Sequence, residues 1–303
     1  MRLTDSMMRS NLLRNLTTNR DMYYNLQQEI SSGDKVINVS EDPGLYKKIS
    51  ILEDTQSRAS TYLDNISTAR RDLNTYEDQL NNLSDSLSKL KNLALQANNS
   101  TYYSSSKETF KQEAEDTLNY LVQIANNKQG GKYMFAGSEV DQAPFTTTTT
   151  DGVITSVAYN GDNKGKVYDM DTNDKISINV SGEEIFSGPA GMDQDIFQAV
   201  IEMRQDMTDS NFDNADTHIA KLQTIMDRVT SKIGEIGNKS EHIDDMENFM
   251  DNFKMTVDSQ HADLRYTDMT EAISTLMNVE NTLSAGMAVA ARLNNLSIMD
   301  YMK

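Results

Sequence analysis

The residue types that most often carry chemistry are sparse in this chain. Histidine occurs three times, at His218, His242 and His261. An imidazole acts as acid, base or metal ligand only with partners in reach. His218 and His242 lie 24 residues apart on one long predicted helix, too far to share a metal unless that helix folds back. All three are expected as solvated surface residues. Asp169, Asp171 and Asn173 begin like a calcium loop. Such a loop needs glycine at its sixth position and a bidentate glutamate at its twelfth. Asp174 and Val180 stand there instead. Gly161 to Lys166 holds two glycines and a lysine, but the phosphate-loop spacing fails and no helix start follows. A Gly-x-Ser-x-Gly nucleophile elbow does not occur. Asp244 and Asp245 are sequence neighbours on a helix, so they point apart and read as a solvated face. The absence of cysteine removes disulfides, thiolate nucleophiles and cysteine metal sites, and leaves the compartment open. The expectation is a chain that is not an enzyme, with no cofactor and no metal.

What remains is a pattern made for packing. From Leu52 to Ala97 an apolar residue recurs every seventh position: Leu52, Ala59, Ile66, Leu73, Leu80, Leu87 and Ala94. A second row follows three residues behind, at Thr55, Tyr62, Ala69, Tyr76, Leu83, Leu90 and Ala97, and only Thr55 is polar. Two such rows form the seam along which helices pack. At about 1.5 Å per residue the helix runs roughly 70 Å, so it needs partners of similar length, and a rod is expected.

The rest of the chain fits that plan. Its 303 residues include 14 Gly, 3 Pro and no Trp, and 37% are hydrophobic. With 28 basic against 46 acidic residues the formal net charge is −18. Such a chain repels phosphate backbones and anionic membrane surfaces, so neither nucleic acid nor membrane is expected as a partner. Apolar runs stay short of the roughly 20 residues that span a bilayer, and Met1 to Ser10 lacks the apolar core of a cleaved secretion signal.

A first helix is predicted over Leu3 to Ser32, with Met8, Leu12, Leu16, Tyr23, Leu26 and Ile30 on one face. Gly33 is placed to end it. Asp34 to Glu41 reads as a short extended linker, and Asp42-Pro43 as a helix restart. Asn98 to Ser104 reads as a polar turn before a capping box, Ser105 with Glu108. The helix that follows carries Phe110, Ala114, Leu118, Leu121 and Ala125, and is expected to stop at Gly130-Gly131. Alternation at Val153–Tyr159 and Ile176–Val180 predicts strands, and Thr146–Thr150 reads as a solvated loop or edge strand.

Helical texture returns at Met192. A short helix is predicted to about Met207, and a long one from near Ser210 with Ile219, Leu222, Met226, Val229, Ile233, Ile236, Ile243, Met250 and Val257 as its seam. Gly234 and Gly237 either weaken this helix or let a neighbour come close. Asp268 with Glu271 opens a last helix carrying Ile273, Leu276, Leu283, Met287 and Ala290. The 18 methionines read mostly as flexible core filling.

The expected fold is mainly α: a long antiparallel helical bundle or coiled coil with terminal helices and a small inserted β domain. Its divisions are terminal segments 1–42 and 262–303, a long-helix bundle 43–131 and 192–261, and a β-rich insert 132–191. The terminal helices have apolar faces and no third local helix to cover them, so they should order against neighbouring copies. The side chains expected to carry that contact are Leu12, Leu16, Leu26, Ile30, Leu276, Leu283, Met287, Leu293 and Leu296.

Short motifs add a resemblance. Arg2-Leu3-Thr4, Ile30-Ser31-Ser32-Gly33 and Ser40-Glu41-Asp42-Pro43 lie near the start. Gly131-Lys132-Tyr133-Met134-Phe135-Ala136-Gly137-Ser138 and Pro144-Phe145 lie in the middle. Tyr266 to Ala272 and Ile298 to Met302 lie near the end. In this order they resemble the flagellin superfamily. Pro43-Gly44, where filament flagellins look like Ala-Ala-Gly, and the Tyr133–Ser138 stretch are similar to the branch that sits between hook and filament; filament flagellin is the alternative. Glu41, and the ending Met302-Lys303, depart from the commoner pattern. The resemblance implies a secreted, extracellular flagellar component, exported unfolded by the type III apparatus with the help of an export chaperone. It implies partners too: sister copies in a ring-like layer, hook-associated protein 1 on the hook side and flagellin on the filament side. It further implies terminal helices in an inner tube and an insert facing outward.

Overall fold

The computed structural model describes residues 5–98, 100–178, 180–188, 195–208, 212 and 214–301, with the side chains of 5–6, 100–105 and 293–301 left aside. In chain order come α1 (Asp5–Ser32), α2 (Pro43–Ala97), α3 (Ser100–Ala125), β1 (Lys128–Gln129), β2 (Lys132–Tyr133), β3 (Phe145–Thr150), β4 (Val153–Tyr159), β5 (Lys166–Asp169) and β6 (Lys175–Ile178). A π-helical turn (Glu183–Ser187), α4 (Ile196–Thr208), α5 (Ala215–Arg265) and α6 (Met269–Tyr301) complete it. The fold is mainly α, with long helices of 55 and 51 residues. The described strands form three antiparallel pairs, β1–β2, β3–β4 and β5–β6. Residues 1–58 with 252–303 make one compact unit and residues 59–251 a second.

Local rules set three of the helix ends. The Asp42 carboxylate accepts from the Leu45 N–H at 2.9 Å, with Pro43 in the first turn. Asp268 accepts from the N–H groups of Thr270 and Glu271 at 2.9 and 3.1 Å. Gly33 has φ 80°, and its N–H reaches the Glu29 carbonyl at 2.8 Å. Other boundaries differ from expectation. Helix α3 begins at Ser100 and passes through Ser105. Serine, threonine and tyrosine cost only a few tenths of a kcal/mol each in a helix, less than breaking a turn. It ends at Ala125, ahead of Gly130, where the Asn127 carboxamide takes the next N–H at 2.8 Å. Strand β6 closes at Ile178, and of the two readings of Thr146–Thr150 the edge strand is the one observed, as β3. The predicted starts at Leu3, Met192 and Ser210 lie outside the described residues.

Residues 59–251 carry most of the core. Along α2, Ile66, Ala69, Leu73, Tyr76, Leu80, Leu83, Leu87, Leu90 and Ala94 are all buried. Leu222, Val229, Ile236, Ile243 and Met250 of α5 and Phe110, Ala114, Leu118 and Leu121 of α3 are buried too. Helix α5 runs antiparallel to α2: Lys91 Nζ meets the Gln223 side chain, while Arg70 meets Asp244 and Glu247. No atom approaches within 4 Å of the space a side chain would take at Gly234 or Gly237. These glycines only loosen the helix; they admit no neighbour.

The strand pairs are tied to this bundle by aromatic and ionic anchors. Phe135 is fully buried, edge-on to Tyr76 at 5.7 Å and to Phe186 at 5.3 Å. Phe145 lies 5.3 Å from Phe197. Tyr76 donates to the Met134 carbonyl at 2.7 Å, and burial pushes its phenol well above the ordinary range. Buried Arg204 pairs with Glu115 and donates to the Ile154 carbonyl at 2.8 Å, holding β4 between α3 and α4. Asp72 of α2 accepts from Lys166 Nζ at 2.8 Å and from the Tyr168 hydroxyl at 2.7 Å. A buried charge persists only with such partners.

Candidate assembly surface

The other unit, residues 1–58 and 252–303, has few buried apolar side chains: Leu26, Ile49, Val257, Ala272 and Val279. Helices α1 and α6 pack antiparallel within it. On α1, Leu12, Leu16, Tyr23 and Ile30 are half-buried and Leu26 is buried. On α6 the inward row is Ala272, Leu276, Val279, Leu283, Gly286 and Ala290, at spacings of 4, 3, 4, 3 and 4. Leu16 lies so close to Gly286 that an added Cβ would stand 2.7 Å from its Cδ2. The absence of a side chain there lets the two helices approach.

Six of the expected contact residues therefore fall in the inward rows: Leu12, Leu16, Leu26, Ile30, Leu276 and Leu283. Met287 does not. It is 53% exposed, and Ile273, predicted on the same stripe, is exposed as well. Small residues took the inward places because they shorten the distance between helix axes. The side chains of Leu293 and Leu296 lie outside the described residues.

A clasp closes one end of the helix pair. The Lys35 N–H donates to the Arg265 carbonyl at 2.7 Å, and the Thr267 N–H to the Gly33 carbonyl at 2.8 Å. Asp34 and Tyr266 thus form an antiparallel bridge within the stretch read as an extended linker. The Arg265 guanidinium straddles Asp34 at 3.2 and 3.3 Å and reaches Glu53 at 2.6 Å. Its hydrogen bond to Asp34 holds the guanidinium more basic than usual. Sequence reading missed this clasp. The one signal was two short, oppositely charged stretches beside helix ends, Gly33-Asp34 and Arg265-Tyr266.

Around the pair, large apolar side chains face outward. Among the described residues, seventeen of the twenty-one exposed large hydrophobics belong to this unit, although it is the smaller of the two. Leu95, Tyr120, Val167 and Phe249 are the other four. On α6, Met269, Ile273, Met277 and Met287 share one flank of the inward row. Where such side chains adjoin, as on this flank of α6, exposed apolar surface marks an interaction site. The methionines expected as core filling are in part here: Met7, Met8, Met22, Met255, Met269, Met277 and Met287 are exposed.

The chemistry-bearing residues do not converge. Two histidines are buried, against expectation. His218 stacks on Phe212 at 5.6 Å and bonds Asp206 Oδ2 at 2.7 Å, and His261 lies beside Glu53 at 3.5 Å. Each buries an apolar ring and keeps a carboxylate at its polar edge. His242 is half-exposed next to Asp174 at 3.3 Å. Asp169 pairs with Lys175 at 2.9 Å across the β5–β6 turn. Among the described residues no three His, Cys, Asp or Glu side chains gather as metal ligands, and no helix is long and apolar enough to cross a membrane.

Comparison with known proteins places this arrangement. Residues 4–140 match the bacterial flagellin N-terminal helical region. The flagellar hook-associated protein 3 of Salmonella typhimurium is 24% identical over 226 residues, 74% of this chain and 67% of that protein. Its counterpart in Escherichia coli is 20% identical over 318 residues, covering all of both. The crystal structure of the flagellar junction protein FlgL from Legionella pneumophila has a TM-score of 0.58 at 15% identity, covering 71% of this chain and all of that one, a likeness of fold. The chain thus carries the flagellin N-terminal helical region over residues 4–140 and is similar along its length to flagellar hook-associated protein 3.

Proposed function

We propose that this chain is a structural component of the bacterial flagellum that joins hook to filament by packing its terminal helices against sister copies. One observation carries this reading: exposed apolar side chains are concentrated in residues 1–58 and 252–303. Helices α1 and α6 cover only one row of each other, and their outer rows gain most when a neighbouring copy covers them. Each fully buried Leu, Met or Ile then contributes about 1.5–3 kcal/mol. Assembly needs no reaction, so the chain acts without catalysis.

The finer reading follows the relatives' names and the Pro43 and Phe135 motifs. Segments 1–42 and 262–303 form the inner contact layer: Leu12, Leu16, Leu26, Ile30, Leu276 and Leu283 hold α1 and α6 together within each chain, and Met287, Leu293 and Leu296 serve as contacts to sister copies. Hook-associated protein 1 lies on one side and flagellin on the other, outside the cell, after delivery with an export chaperone. Filament flagellin, the alternative, is not favoured by relatives that are hook-associated.

The test is truncation. Removing residues 269–303 should leave residues 59–251 helical and cooperatively folded, while the chain is no longer incorporated and the cell bears hooks without filaments. A truncated chain that still joined hook to filament would sink the reading.

A further inference from the structure

Sulfur is unevenly placed in this protein. The chain has 18 methionines, no cysteine and no tryptophan, so thioethers are the side chains most open to two-electron oxidation. Among the described residues the exposed ones are Met7, Met8 and Met22 on α1, Met255 on α5, and Met269, Met277 and Met287 on α6. All seven belong to residues 1–58 and 252–303. Within residues 59–251, Met134, Met170, Met203, Met207 and Met250 are buried, and Met226 and Met246 are half-buried. The contrast is wide: Met255 is 66% exposed and Met170 0%.

We propose that these seven methionines form a reversible oxidation site for hydroperoxides, and that their sulfoxides keep the unassembled chain from joining its sister copies. The second half rests on the assembly reading above. In the step itself the thioether sulfur attacks one peroxide oxygen. The O–O bond breaks and an S–O bond forms, while the other oxygen takes the proton from the transferred one and leaves as water from hydrogen peroxide or as an alcohol from an organic hydroperoxide; sulfur loses two electrons and the peroxide gains them. The product carries a strongly polar oxygen where an adaptable apolar side chain stood. At a helix contact that oxygen must shed its water, and an apolar neighbour offers no donor in return. Buried sulfurs are spared because a peroxide reaches them only when the helices open.

The folded full-length chain is given a limited dose of hydrogen peroxide, and sulfoxide at each methionine is read by peptide mass spectrometry. The exposed seven should oxidise about tenfold faster than Met134, Met170 and Met203, since susceptibility follows exposure. Uptake of the oxidised chain by hooks isolated from a strain lacking it should fall about tenfold, the change expected for losing roughly two buried methylene equivalents. Treatment with both methionine sulfoxide reductases should restore it. Equal oxidation of exposed and buried methionines overturns the site. Undiminished uptake after oxidation, or a loss that reduction does not reverse, overturns the link to assembly. If the untreated chain fails to bind hooks, the assembly reading falls while the methionine map still decides the site.

Discussion

Gly137 shows how one atom can be decisive. It sits in the Tyr133–Ser138 motif with φ 71°, and an added Cβ would stand 2.0 Å from Asp162 Oδ1 and 2.2 Å from its carbonyl oxygen. That carboxylate is fixed in turn by the N–H groups of Ser138 and Lys164 at 2.7 and 3.1 Å. Gly137→Ala should cost about 3 kcal/mol, combining left-handed strain with overpacking against backbone; urea unfolding of the full chain measures it. Asp206 makes a different prediction. The hydrogen bond from His218, and then one from Asn214, hold its carboxyl below the ordinary value of 3.8. A depressed folded value stabilises above about pH 4 and is lost as pH falls through it. Asp206→Asn should therefore flatten the acid side of the stability profile, so that the thermal midpoint drops less between about pH 6 and pH 3 than in the parent. An unchanged acid slope would remove Asp206 from the account. The burial of His218 was illegible in sequence, because a lone histidine on a helix carries no mark of the Phe212 ring and Asp206 carboxylate that enclose it.

Periodicity decided what could be read at the level of helices. The two rows of α2 were legible because apolar side chains repeat every 3.5 residues on average with Thr55 as the one interruption. The inward row of α6 was legible only in part: Leu276, Leu283 and Ala290 stood on the expected face, but ranking residues by hydrophobicity added Ile273 and Met287, whereas packing picked Ala272, Val279 and Gly286. The strands at Val153–Tyr159 were legible by alternation. The threonine run was legible only as a loop or an edge strand, since five identical residues carry no alternation, and the second of those readings is the one observed. The clasp joins groups 231 positions apart, a distance that no local rule spans. Helix α5 offers a direct check. Gly234 and Gly237 are exposed helical positions with open space beside them. Gly234→Ala with Gly237→Ala should raise stability by about 1 kcal/mol for each site. A loss of stability instead would show that a neighbour does need the space. The same change at Gly286 meets Leu16, so there the helix gain is offset by crowding.

The whole molecule divides its apolar surface unequally. Residues 59–251 bury their seams, anchor three strand pairs on them and keep most large hydrophobics inside. Residues 1–58 and 252–303 build one helix pair with a clasp and leave the outer rows of Met and Ile in water. A stretch with so few buried side chains opens more readily than one with a filled core. In the solitary chain α1 and α6 should exchange their amide hydrogens quickly, and in the flagellum slowly.

Amide hydrogen exchange, compared between the dilute chain and the assembled flagellum, tests that difference most directly. The account predicts fast exchange in α1 and α6 of the dilute chain, slow exchange in α2 and α3 within residues 59–251, and strong new protection of α1 and α6 on assembly. Helices α1 and α6 already as protected in the dilute chain as the buried seam of α2, with nothing gained on assembly, would contradict it.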